Sequence, residues 1–289
     1  MRIDNCFLCG SRKYHIIHKS VRGDVNVDVL KCDECGLVRL SEVKTNDKWY
    51  SDAEMRKSDS EENMKEIRSA ARKDDLRRYE FIRPMIENLT YLDFGCGSGG
   101  VLNYAINDAK RCIGIELERN MLEALAGEGL ECYYSVDAAL GKINRTVDVI
   151  SMFHVLEHIE KPLEILEKLK MLLKDKGKMI IEVPNADDVL LSLYESEAFA
   201  DFTYWEAHLY LYNNETLREL MRQARLKVCF QGQIQRYSLS NTLYWLAKGK
   251  PGGHKEWAML SNEDIDRLYG EHLANLGIAD TIVAVVEIE

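Results

Sequence analysis

The 289-residue chain has no apolar run of membrane-spanning length, no internal repeat, no low-complexity tract and no surplus of basic residues. Each absence narrows the range of functions. A helical membrane span needs about 20 consecutive apolar residues, so none is expected. The opening MRIDNCFLCG lacks the apolar core of a signal peptide, and the expected location is cytoplasmic. Lys and Arg number 38 against 48 Asp and Glu, a formal net charge of −10. Extended contact with nucleic acid depends on neutralising phosphates, so this balance argues against a nucleic-acid partner. A hydrophobic content of 46% argues against disorder. The length suits one large domain with a small one attached.

Cysteine is plentiful by comparison. Cys6 and Cys9, then Cys32 and Cys35, form two C-x2-C-G units. Paired thiolates at this spacing converge on a tetrahedral ion, so residues 1–42 are expected to be a zinc ribbon with these four ligands. Two short strands are expected around Gly23-Asp24. The ribbon carries no aromatic-basic stripe, which favours a structural or substrate-covering role over nucleic-acid binding. Cys96, Cys112, Cys132 and Cys229 are scattered and read as buried thiols.

Residues 43–60 are polar and read as a linker, and 61–289 as the main domain. A helix is expected over 61–89, broken near Pro84. Beyond it the β-rich runs YLDFG, RCIGIE, ECYYS, VDVISM and KMIIEVP alternate with helical stretches. The last helix, KPLEILEKLKMLLKDKGK, has leucines on one face and Gly177 as its expected C-cap. Alternation of this kind implies an α/β fold, a doubly wound and mostly parallel sheet whose ligand sits at the carboxyl ends of the strands. Two more strand-like runs, LKVCFQG and TIVAVVEIE, follow.

Residues just after each strand are therefore the site candidates. Asp93, Gly95, Cys96, Gly97 and Gly99 form a glycine-rich turn that lets a ligand approach the backbone without meeting a Cβ. The turn fits both the G-x-G-x-x-G of dinucleotide-binding folds and the D-x-G-x-G-x-G of S-adenosylmethionine-dependent methyltransferases. Glu116, with Leu117 beside it, closes the second strand where an acid can accept hydrogen bonds from ribose hydroxyls. Asp137 after the third strand is placed either for an adenine edge or as a helix N-cap. Phe153 and His154 end the fourth.

The sequence LDFGCGSGG, then CIGIELE, DVISMFHVLEHI and LLKDKGKMIIEVPN, resembles the successive motifs of a class I S-adenosylmethionine-dependent methyltransferase over roughly residues 60–235. The resemblance implies a seven-stranded sheet with the last strand antiparallel, and S-adenosylmethionine as cofactor. The alternatives are an NAD-dependent oxidoreductase on the same fold and a non-catalytic nucleotide-binding module. His154-x-x-Glu157-His158 also matches a zinc-peptidase motif, H-x-x-E-H, which requires a long helix; Pro162 and the preceding strand leave no room for one.

A ribbon followed by this domain is similar to methyltransferases of deoxysugar and surface-glycan pathways. The similarity implies a small-molecule acceptor, a sugar or nucleotide sugar, met by an aromatic and histidine-bearing loop. Insertions at about 186–215 and 234–280 are the expected acceptor-binding segments. Tyr204, Trp205, Arg236 and Tyr237 are the expected acceptor contacts, with Lys248, Lys250 and Lys255 among further aromatics. Lack of the large extra C-terminal domain of sugar C-methyltransferases favours an oxygen acceptor. His208 is the expected general base, oriented by Glu206, with His154 and His158 as its competitors.

Overall fold

The structure is a computed structural model, and it describes residues 5–43 and 61–289, the side chains of 61–63 excepted. Most of the expected linker lies outside the described residues. The main sheet has seven strands: β4 (Thr90–Phe94), β5 (Arg111–Ile115), β6 (Glu131–Tyr133), β7 (Val147–Phe153), β8 (Leu173–Pro184), β10 (Leu226–Ile234) and β11 (Thr281–Ile288). Their spatial order is β10-β11-β8-β7-β4-β5-β6. β4, β5, β6, β7 and β8 pair in parallel, while β11 is antiparallel to both β8 and β10. This is the sheet expected from the sequence.

Its central strands read as nearly continuous apolar runs because helices cover both faces. β7 is buried at every position but Asp148, and the edge strand β6 is only half-buried. The helices flanking the site are α1 (Glu61–Ile86), α2 (Gly100–Ala105), α3 (Arg119–Gly127), α4 (Val136–Ile143) and α5 (Pro162–Leu172). Pro84 lies in the last turn of α1, and the helix ends two residues later. α5 starts on Pro162, whose fixed φ suits a first helical position, and buries Leu166, Leu169 and Leu172. Gly177 is not its cap. The helix passes directly into β8 through Leu173, which is extended, and Gly177 lies inside that strand, where a Cβ would come 2.7 Å from Leu173 Cδ2.

The two strands expected around Gly23-Asp24 are β1 (Tyr14–His18) and β2 (Val29–Cys32), and a third, β3 (Val38–Leu40), follows the second cysteine pair. Gly23, at φ 99°, sits in the connection between the first two. This small sheet is completed by β9 (Tyr210–Leu211) of the main domain, which pairs antiparallel with β3. Leu8, Val29, Leu37, Leu40, Leu209 and Leu211 belong to one buried cluster that continues into the main core. The ribbon is thus welded to the domain by backbone pairing and apolar packing.

The insertions carry α6 (Val189–Ser192), α7 (Glu197–Thr203), α9 (Leu239–Lys248), α10 (Gly253–Glu256) and α11 (Glu263–Leu276). α8 (Asn214–Gln223) stands between them, started by a capping box of Asn213 and Thr216. Among the described residues no helix is long and apolar enough to cross a membrane.

Candidate active site

The glycine turn follows β4. Gly95, Gly97 and Gly99 have φ of 72°, 53° and 72°, the left-handed region that glycine enters without penalty. A Cβ on Gly95 would collide with Val155, and one on Gly99 would lie 2.5 Å from Leu125 Cδ2. The Gly97 N–H donates to Glu116 Oε2 at 2.7 Å, and the Glu118 N–H to Glu116 Oε1 at 2.9 Å. The acid ending β5 is thereby tied to the turn ending β4.

Beside this turn opens a cleft of about 590 Å³. Asp93, Gly95, Cys96, Gly97, Ser98, Phe153 and His154 line it from the strand ends; Ala70, Asp74, Asp75 and Arg78 line it from α1; Arg236, Tyr237 and His254 come from the second insertion. Asp93 is fully buried, and the Ser151 hydroxyl donates to it at 2.5 Å. Burial pushes its carboxyl up to about 7, against the help of Ser151 and Arg78. The folded state then holds a proton that the unfolded state releases near 3.8, so this contribution is lost as pH rises from about 4 to 7. Asp93→Asn keeps the acceptor and removes the titration. The stability of wild type relative to this variant should fall by about 2–4 kcal/mol between pH 4 and pH 8, at about 1.4 kcal/mol per unit. Denaturant unfolding at both pH values checks this, and a pH-independent difference would rule out the buried proton.

One ion-pair network spans the cleft wall. Arg236 donates to Asp74 through Nε and Nη2, the latter at 2.6 Å, and its Nη1 lies 3.1 Å from His154 Nε2. Arg77 and Arg78 both reach Glu182, an acid 1% exposed near the carboxyl end of β8. Glu182 Oε1 is 3.3 Å from His154 Nε2, while Glu157 Oε1 is 3.2 Å from His154 Nδ1. Asp74, Arg77 and Arg78 share a helix face at i, i+3 and i+4. Burial opposes ionisation of Asp74, but Arg236, with Arg78 and Arg77, holds its carboxyl down to about 2. Burial likewise opposes ionisation of Glu157, and the neighbouring histidines bring it to about 2. His154 itself has φ 55°, an uncommon backbone state for a residue with a Cβ.

With this geometry, residues 55–229 match the family model described as a methyltransferase domain, more than half the chain. The chain belongs to that family. Among curated relatives, an uncharacterised 37.1 kDa protein in a transposon of Streptomyces fradiae is 27% identical over 142 residues, covering 46% of this chain and 41% of its own. An uncharacterised protein of Methanocaldococcus jannaschii is 32% identical over 111 residues, covering 38% and 46%. The matched stretch spans under half the length of both curated relatives. An S-adenosylmethionine-dependent methyltransferase structure from Archaeoglobus fulgidus aligns with TM-score 0.50 at 19% identity, over 77% of this chain and 93% of its own. A chain from the Haloferax volcanii complex between a methyltransferase activator and a methyltransferase aligns with TM-score 0.51 at 17% identity, over 76% and 92%. These likenesses agree with the seven-stranded fold.

Several expected site residues stand elsewhere in the methyltransferase domain. His208 is not among the cleft-lining residues. It is half-buried against the rings of His158 and Trp205, with centroids 5.0 and 5.4 Å away, and desolvation pushes its imidazole down to about 3, helped by His158. Glu206 does not orient it; its side chain lies against Gly23 of the ribbon. Tyr204 is buried beside the His18 ring, and Trp205 carries the Arg22 guanidinium 5.0 Å above its ring. The Arg22 N–H donates to the Tyr204 carbonyl, and the Glu206 N–H to the Arg22 carbonyl. The aromatic loop is therefore the seat of the ribbon, which the sequence pattern alone does not distinguish from an acceptor loop.

Asp137 is exposed, paired with Lys168 at 2.8 Å, and the cap of α4 is Ser135. Leu117 is exposed beside Glu116. Of the second insertion, Arg236 and Tyr237 reach the cleft; Tyr244 and Trp245 pack in the interior, and Lys248, Lys250 and Lys255 are exposed. Cys229 is exposed rather than buried. His154 precedes, and His158 ends, a single 3-10 turn, Leu156–His158, so the long helix of the peptidase motif is absent there.

The four ribbon cysteines do converge, with all sulfurs within 4.8 Å of one another. Each pair is followed by a glycine with positive φ, Gly10 at 75° and Gly36 at 78°, whose N–H donates to the Cys6 or Cys32 carbonyl. Two such turns presenting four thiols fit a tetrahedral thiolate-bound ion. Asp74, Asp75, Arg77, Arg78, Glu182 and His254 were not anticipated. Two signals in the sequence pointed to most of them: the charge-dense RKDDLRR on a helix, and one acid inside the apolar KMIIEVP.

Proposed function

We propose that this chain transfers the methyl group of S-adenosylmethionine to an oxygen of a small-molecule acceptor, a hydroxyl of a sugar or nucleotide sugar. The observation that carries the reading is one cleft with the Glu116-tethered glycine turn on one wall and His154 at the end of the next strand. Bound there, the cofactor supplies a methyl on an already activated sulfonium. Gly97 brings its backbone to the cleft without a side chain, while the absent Cβ of Gly95 makes room for Val155. Glu116 already accepts two N–H groups and retains lone pairs for ribose hydroxyls. Leu117 offers an apolar edge, and Phe153 and Cys96 close the floor.

His154 is the base in this reading. With Nδ1 donating to Glu157, its Nε2 presents the lone pair that takes the acceptor's proton, and the Glu157 carboxylate steadies the resulting cation. The acceptor hydroxyl replaces the Arg236 N–H now at Nε2. Tyr237, 49% exposed beside the Arg236 guanidinium, supplies a ring face for a sugar at the mouth of the cleft. Labelled cofactor offered with a panel of nucleotide sugars, followed by mass analysis, tests the acceptor class. One added methyl on a sugar oxygen is expected, and transfer to carbon or nitrogen, or to no sugar in the panel, would overturn it.

The four-thiol cluster is assigned to structural zinc. Cys9→Ser should lower zinc bound per chain by about one equivalent, because three thiolates and a hydroxyl hold the ion poorly. Metal analysis checks this, and an undiminished zinc content would remove the assignment.

A further inference from the structure

A second group of metal-ligating side chains lies behind His154. Glu157, His158 and His208 each bring one ligand atom within 4.8 Å of the others. Glu157 is fully buried, and among the described residues neither its Oε2 nor His208 Nδ1 has a hydrogen-bond partner. Buried polar atoms without partners on two of these three clustered residues are costly unless something meets them.

The third ligand is already oriented. His158 Nδ1 lies 2.8 Å from the Ala207 carbonyl oxygen. A carbonyl only accepts, so Nδ1 carries the proton and Nε2 keeps the lone pair of the neutral ring. That Nε2 is 3.9 Å from the Glu157 carboxylate. That same oxygen, Oε1, lies 3.2 Å from His154 Nδ1, and Oε2 is the one left without a partner among the described residues. Both groups thus have the outer partners that commonly fix metal ligands, a backbone carbonyl on an imidazole and a hydrogen bond on a carboxylate. The ligands come from two segments held in register, the 3-10 turn after β7 and the loop before β9, where the Tyr210 hydroxyl donates to the Glu160 carbonyl at 3.1 Å.

We propose that Glu157, His158 and His208 form a second metal centre, separate from the four-cysteine cluster, that takes a divalent first-row transition ion. A carboxylate oxygen and an imidazole lone pair are both acceptors, and one cation satisfies them together with the His208 nitrogen. Two imidazoles and one carboxylate suit zinc, iron(II), cobalt(II) or manganese(II) better than the oxygen-seeking calcium or magnesium. Three protein ligands leave a coordination position for a water or hydroxyl oxygen, the pattern of an open rather than a closed site. The reading stands whatever acceptor the domain methylates.

Cobalt(II) distinguishes the two centres. Bound to thiolates it gives strong charge-transfer absorption in the near ultraviolet, and bound to nitrogen and oxygen only weaker visible bands. Full-length protein produced in cobalt-supplemented medium and dialysed should hold two equivalents per chain, one of each kind. Glu157→Gln and His208→Asn should each lose about one equivalent and the thiolate-free bands, while the charge-transfer band persists and reports an intact ribbon. A single equivalent in wild type, all of it thiolate-bound, would overturn the proposal and leave a water among packed histidines. A second equivalent that survives both substitutions would overturn it as well. Should a variant not fold, the wild-type stoichiometry and spectrum decide the question.

Discussion

Gly97→Val should reduce S-adenosylmethionine affinity by at least about 100-fold. Position 97 has φ 53° and lines the cleft, and its N–H is bonded to the acid expected to hold the ribose. A β-branched residue held in the left-handed region carries about 1–3 kcal/mol of strain, and relaxing that strain would withdraw the N–H from Glu116. The two valine methyls would also stand where the cofactor must lie. Calorimetry gives the affinity, and circular dichroism confirms that the variant is folded. Normal affinity in a folded variant would refute this placement.

His154→Ala should lower kcat by roughly 10²–10⁴-fold, the range for a lost general base, with a smaller change in cofactor affinity. Removing the imidazole also leaves Glu157 without the hydrogen bond from Nδ1 and the Arg236 N–H without its acceptor at Nε2, so the variant should lose stability. His154→Gln keeps a hydrogen-bonding group in that space without a basic nitrogen. Restored stability with kcat still low would separate proton transfer from scaffolding; turnover restored by glutamine would reduce His154 to a positioning role. Steady-state kinetics and thermal unfolding on the three proteins make the comparison.

The seven strands themselves were legible because each is a short apolar run ended by a turn or a charged residue; the antiparallel last strand came from the family resemblance. The parallel sheet needs such runs wherever helices cover both faces. Strand ends were legible for the same reason, so Asp93, the glycines, Phe153 and His154 fell where the cleft is. The clustering of Cys6, Cys9, Cys32 and Cys35 was legible from spacing alone, since each C-x2-C-G unit carries its turn geometry in the interval between its cysteines.

Residues whose roles depend on tertiary partners were not legible. His208, Tyr204 and Trp205 look like an acceptor loop because aromatics and histidines serve both for stacking on ligands and for packing between domains. Only the pairing of β3 with β9, and Arg22 lying over Trp205, show which use prevails. Asp74 and Glu182 were missed for the converse reason. A charge-dense helix and one acid in an apolar strand mark the two positions, but that Asp74 meets Arg236 and Glu182 meets Arg77 is a long-range fact that no local pattern encodes. Gly177 shows the same limit at the level of the backbone. A glycine near a helix end suits a left-handed cap, but α5 ends in an extended residue, and the glycine is needed to clear Leu173.

The central claim is that the Glu116-tethered glycine turn binds S-adenosylmethionine rather than a dinucleotide. Calorimetric titration of wild type and Glu116→Ala with S-adenosylmethionine and with NAD tests it most directly. Wild type should bind one S-adenosylmethionine per chain. The variant should lose about 1.5–3 kcal/mol of that binding, as for hydrogen bonds to a charged group, roughly a tenfold to hundredfold weakening, and NAD should bind neither protein measurably. Tight NAD binding that weakens in Glu116→Ala, with no S-adenosylmethionine binding to wild type, would contradict the account.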